Sequence, residues 1–156
     1  MLIRVIAVGT RMPSWVQQAV DDYSGRMPAE FQVEWKEVRA EQRSSRESAA
    51  TWMTREAQRI RAVLPPQANL VALDERGTDL TTRGFADRLR RWQLDARSVA
   101  ILIGGPDGLE PSLKEQSAER IRLSSLTLPH PLVRVMLAEQ LYRAWSVIAD
   151  HPYHRD

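Results

Sequence analysis

The chain opens on an apolar run, Leu2 to Val8, broken only by Arg4 and closed by Gly9. So short a run, rich in β-branched residues, predicts a largely buried strand. Trp15, Val16, Ala19, Val20 and Tyr23 then recur at the spacing of one helical face, with Ser14 as the expected cap and Gly25 and Pro28 as the stop. Phe31, Val33 and Trp35 alternate with Gln32, Glu34 and Lys36, the pattern of a strand with one wet face near a sheet edge. From Arg39 to Ser48 the only apolar residue is Ala40, so a solvated loop is expected there.

A long helix carrying Ala49, Met53, Ala57, Ile60 and Leu64 follows, and Pro65-Pro66 stops it. Leu70 to Leu73 reads as a short buried strand ending at Asp74-Glu75-Arg76-Gly77, and Phe85, Leu89 and Trp92 mark the next helix. Val99 to Ile103 is a strand running into Gly104-Gly105-Pro106-Asp107-Gly108. After it the pattern predicts a helix around Leu113 to Ile121, a strand-like piece from Leu123 to Leu128, and a long helix from about Pro131 to Asp150. Its apolar face is Val133, Met136, Leu137, Leu141, Ala144 and Ile148. Strand and helix alternate almost throughout, which predicts a single α/β domain over residues 1–156 with a mainly parallel sheet flanked by helices. In such sheets ligands sit beyond the carboxyl ends of the strands. The site is therefore expected where the loops after Leu73, after Ile103 and around Leu128 meet.

Composition narrows the chemistry. The 156 residues include no cysteine, which excludes disulfides, thiolate metal sites and cysteine nucleophiles. The first apolar run is too short for a signal peptide or a membrane span, so a cytoplasmic protein without membrane attachment is expected. A formal net charge of +2 does not suit a protein that holds nucleic acid mainly by charge. Of the 22 basic residues 20 are arginine, which fits bidentate phosphate contact and base stacking, and equally a bias in genomic base composition.

Three stretches carry candidate chemistry. The glycine cluster fails the dinucleotide fingerprint, because Pro106 stands at the third position counted from Gly104, and it fails the P-loop, because no Gly-Lys-Ser/Thr follows. What remains is a loop whose backbone groups face a flat or uncharged ligand, or a plain turn. Around the last helix, Glu139 and Arg143 stand four apart, the spacing of an ordinary surface ion pair worth about 0.2–0.5 kcal/mol, and His130 sits between two prolines as a packing residue or a catalyst. In the tail, His151-Pro152-Tyr153-His154-Arg155-Asp156, a zinc site lacks the company it needs. The tail is either solvated or ordered over a substrate, with Tyr153 stacking a base, Arg155 holding a phosphate and His154 moving a proton.

Taken in order, "AVGT", "VALDERG", "LIGGPDGL", "LSSLTLPHPLVRVMLAEQLYRAW" and "HPYHR" make the chain resemble, over its full length, the RlmH-type large-subunit rRNA methyltransferases of the SPOUT superfamily. The resemblance implies a parallel α/β domain with a deep trefoil knot in its carboxyl-terminal part, working as a homodimer. It implies S-adenosylmethionine as methyl donor without a metal, and N3 of a pseudouridine in 23S rRNA of the assembled ribosome as acceptor. Carried over by position, donor contacts fall on Leu73, Gly104, Leu123, Ser124, Ser125, Leu126, Thr127 and Leu128, with the missing side chain of Gly104 letting donor and backbone meet. His154 or His130 is the expected proton acceptor, Tyr153 and Arg155 place the nucleotide, and Arg143 stabilises charge on the base. One departure is Thr78, where relatives often have lysine. Read without the resemblance, the residues also fit a non-catalytic, ribosome-associated nucleotide-binding module; a SPOUT enzyme acting on another RNA is the third reading.

Overall fold

Apolar runs become the inner strands and alternating runs the edges. In a computed structural model, which describes residues 1–155, the elements are β1 (Leu2–Val8), α1 (Ser14–Gly25), β2 (Gln32–Val38), α2 (Ala49–Ala62), β3 (Asn69–Asp79), α3 (Thr82–Leu94), β4 (Val99–Ile103), α4 (Pro111–Gln116), β5 (Glu119–Arg122) and α5 (His130–Ile148). The five strands form one all-parallel sheet in the order β2-β1-β4-β3-β5. β4, buried at every position, lies at the centre, and half-exposed β2 lies at an edge, as its alternation predicts.

Both faces of the sheet are covered. Ile3, Val5, Ala7, Val99 and Ile101 point to one side, where Phe85, Leu89 and Trp92 of α3 and Leu137, Leu141 and Ala144 of α5 pack on them. Ile6, Val8, Ala100 and Leu102 point to the other, against Ala57 and Ile60 of α2 and Leu113 of α4. α1 packs against α5 through Val16, Val20 and Ala138. At about 25 cal/mol per Å² of apolar area removed from water, such two-sided burial is the main favourable term in folding.

The structure corrects four local expectations. Ser14 does not cap α1: it is the first helical residue, Pro13 takes the cap position, and no side chain caps the helix. α4 stops at Gln116: the Ser117 N–H and hydroxyl both still donate to the Leu113 carbonyl, but Ser117 itself is extended and turns the chain out of the helix. Residues 119–122 are then strand, with Ile121 buried against β3, and the leucines of 123–128 are loop, not strand. Their alternation imitated a strand, but β5 already forms that edge. β3 is longer than expected: Leu73 and Thr78 both stand opposite Ile121, so residues 74–77 bow out of the ladder. Gly77 permits this, since a Cβ there would lie 2.6–2.9 Å from the backbone of Arg120 and Ile121. The bow carries Asp74, Glu75 and Arg76 toward the carboxyl end of the sheet.

Candidate functional site

A cavity of about 580 Å³ opens beyond the carboxyl ends of β3, β4 and β5. Three loops wall it: residues 73–76, 103–109 and 121–128, closed by Lys114 from α4 and by His130 and Val133 from α5. All eight expected donor-contact positions, Leu73, Gly104 and Leu123 to Leu128, line it.

Each wall has a local cause. In the glycine loop, the Gly108 N–H donates to the Gly105 carbonyl at 2.9 Å, and Gly108 adopts a left-handed φ of +84°. Gly104 is needed for a reason other than the expected approach of a donor. A Cβ there would fall 2.5–2.8 Å from the backbone of Gly108 and Leu109, so its missing side chain is filled by the loop itself. In 123–128 the Ser124 hydroxyl accepts the Leu126 N–H at 2.9 Å, turning the chain and leaving Leu126 76% exposed at the rim. In the 73–76 wall the Asp74 carboxylate accepts the Arg76 N–H at 3.0 Å and pairs with Lys114 Nζ at 3.1 Å. Burial works to raise this carboxyl, but the Arg76 N–H and the Lys114 ammonium outweigh it and hold it below the ordinary carboxylate value.

His130 is at the cavity but is engaged. Arg134 Nε donates to its Nε2 at 2.9 Å. Burial and the adjacent Arg134 guanidinium lower its pKa, so the neutral ring is favoured with its lone pair already used. The ring is thus positioned at the cavity in its neutral form, with Nε2 held by Arg134.

Two of the other expected catalytic residues, Arg143 and Tyr153, meet elsewhere, around Glu139. Arg143 pairs with Glu139 at 2.5 Å, as their spacing predicts, and its guanidinium lies 4.8 Å from the Tyr153 ring centroid. The Tyr153 hydroxyl donates to Glu139 at 2.9 Å; burial, Glu139 and Tyr23 all push its ionisation well up. The tail is thus folded back on α5, with Tyr153 against Tyr142 and His151 against Trp145, at centroid distances of 4.6 and 5.3 Å. His154 is partly buried there and Arg155 is exposed. None of Arg143, Tyr153, His154 or Arg155 lines the cavity. Thirteen helical steps separate His130 from Arg143, roughly 20 Å at the α-helical rise. Thr78 lies outside the cavity as well, exposed in the ladder between β3 and β5.

Two sets of comparisons bear on this arrangement. A family model, Predicted SPOUT methyltransferase, matches residues 1–154. The chain belongs to the SPOUT methyltransferase family. Among its relatives, the Ribosomal RNA large subunit methyltransferase H proteins of Bordetella avium, Ralstonia pickettii and Acidovorax ebreus are 55%, 53% and 54% identical to it. The first two matches cover 99% of both chains and the third covers 100%.

Several residues of this SPOUT chain escaped the sequence reading. Asp74, Arg76, Lys114 and Arg122 all line the cavity. The bow at 74–77 that brings the first two there depends on a β3–β5 register that no local pattern encodes. Arg134 is 3% exposed and joins three elements: it donates to His130, to Glu37 Oε1 at 2.6 Å and to the Gly9 carbonyl at 2.6 Å. The only signal was a charge inside an apolar helical run, Val133-Arg134-Val135.

Proposed function

We propose that this protein transfers a methyl group from S-adenosylmethionine to N3 of a pseudouridine in 23S rRNA of the assembled ribosome. The observation that carries this reading is the convergence of Leu73, Gly104 and 123–128 on one cavity, in a chain with full-length identity of 53–55% to relatives named ribosomal RNA large subunit methyltransferase H. The cavity volume falls in the range of roughly 300–1,000 Å³ typical of small-molecule sites. Its walls combine leucines with backbone and serine polar groups, as a ligand with a flat ring and a polar chain requires.

Bound there, S-adenosylmethionine supplies a methyl group on a sulfonium, already activated for in-line displacement. The backbone of 104–109 and 123–128 orients the donor, and alignment of this kind contributes up to about 7–11 kcal/mol. Tyr153 and Arg155 place the nucleotide, and Arg143 stabilises negative charge developing on the base carbonyls. His154 takes the N3 proton, a role worth roughly 10²–10⁴-fold. The separation of these residues from the cavity along α5 supports a homodimer in which one chain's tail covers its partner's cavity. Exposed Trp15 and Leu132, 48% and 40% accessible, provide apolar surface for such an interface. The trefoil knot belongs to the same proposal, supported by the family and by the return of α5 to the end of β1, where Arg134 holds Gly9.

The test is methyl incorporation from labelled donor into assembled ribosomes, isolated large subunits and naked rRNA, with the product mapped by mass spectrometry. Incorporation at N3 of one pseudouridine, fastest on ribosomes, is expected. Equal rates on all three substrates would overturn the ribosome requirement, and absence of both transfer and donor binding would leave the non-catalytic module.

A further inference from the structure

Outside the cavity wall, one buried ion network touches the glycine loop. Glu56 of α2 is only 2% exposed. Its Oε1 accepts the Glu41 N–H at 2.9 Å and Arg43 Nη1 at 2.6 Å, while its Oε2 is buried without a hydrogen-bond partner. That oxygen lies beneath the glycine loop: a Cβ on Gly105 would stand 3.1 Å from Oε2 and 3.0 Å from Val8 Cγ1. Glycine at 105 therefore lets the loop settle onto a carboxylate that water cannot reach.

A buried carboxylate is costly unless an opposite charge stays beside it. Arg43 supplies that charge, and its position is over-determined. Nη1 also donates to the Glu41 carbonyl at 2.7 Å, and the guanidinium lies 5.4 Å from the Trp52 ring centroid. Held this way, the rest of its fork points at the cavity rim, where Nε and Nη2 donate to Asp107 Oδ2 at 3.1 and 2.7 Å. Asp107 is the residue between Pro106 and Gly108 and part of the cavity lining. The loop is thus held at its tip by Arg43 through Asp107.

We propose that Arg43 is a positioning residue of the methyl-donor pocket: anchored on buried Glu56, it clamps Asp107 and holds residues 104–108 in the shape that receives the donor. This rests on the reading of the cavity as the S-adenosylmethionine site. Arg43 itself is outside the cavity lining and acts through Asp107.

The test compares Arg43→Lys, Asp107→Asn and the double variant in three measurements: donor affinity by calorimetry, amide exchange of the 104–108 loop in ligand-free protein, and thermal unfolding. Lysine keeps the charge on Glu56 but lacks the fork that spans to Asp107. Each single variant is expected to weaken donor binding about tenfold, the loss of one charge-assisted contact. The double variant is expected to be no weaker than the worse single, and loop exchange to accelerate in all three. Donor affinity within twofold of the parent in both single variants, or losses that multiply in the double, would overturn the clamp. If Arg43→Lys fails to fold, Asp107→Asn leaves the Arg43–Glu56 pair intact and decides the matter alone. A parent protein that binds no donor refutes the pocket assignment, and loop exchange then still reports on the clamp.

Discussion

Gly104 shows how one residue's importance was visible in the sequence while its reason was not. A glycine at the end of a buried strand invites the idea of a ligand pressed against bare backbone. In the folded chain that space belongs to Gly108 and Leu109, so Gly104 is a packing requirement of the loop before any ligand arrives. Gly104→Ala is accordingly expected to cost about 1–3 kcal/mol by overpacking, a fall of roughly 2–12 °C in Tm. It should also weaken donor binding more than tenfold, because the wall itself must shift. Thermal unfolding and calorimetry check both effects. Gly25→Ala, where an added Cβ meets nothing within 4 Å, is the control and should change neither.

Among the elements, α5 does two jobs that its apolar periodicity does not separate. Its middle buries Leu137, Leu141 and Ala144 against the sheet, as the pattern predicts, while its first turns carry Arg134 into the interior. There Arg134 ties the helix to the ends of β1 and β2 through Gly9 and Glu37 and holds the His130 ring at the cavity. Arg134→Met keeps much of the volume and removes every one of those bonds. The expected loss is about 2–4 kcal/mol, discounted from a fully buried pair because Glu37 is 32% exposed, and urea unfolding measures it. The region just before α5 was the least legible. Leu113 to Leu128 holds a short helix, a four-residue strand and a loop, each too brief for a periodicity to declare itself.

For the molecule as a whole, the question is how the tail reaches the chemistry. Tyr153, next to His154, lies folded on the far half of α5, while the cavity opens at its start. If a partner's tail completes each site, mixing subunits bearing Gly104→Ala with subunits bearing His154→Ala should raise methyl transfer well above the level of either weakened variant alone. One site in each mixed dimer would then combine an intact cavity with an intact tail. Activity measured across a titration of the two variants checks this. No recovery in mixtures shown to exchange subunits would mean that each tail serves its own cavity.

The sequence by itself determined the alternation of strand and helix, the buried centre and wet edge of the sheet, and the places where chemistry gathers. These follow from local spacing and from which residues leave water. It also marked the loops after Leu73, after Ile103 and around Leu128, because strand ends and glycine-rich loops carry their own signal, while the individual donor positions Leu73, Gly104 and 123–128 came from the family resemblance. Only the tertiary structure decided that residues 74–77 bow into the cavity wall, that Arg134 and His130 satisfy each other, and that Arg43 reaches Asp107 from 64 positions away. The physical reason is common to all three: each depends on groups far apart in the chain that only the fold brings together, and no local pattern records that distance.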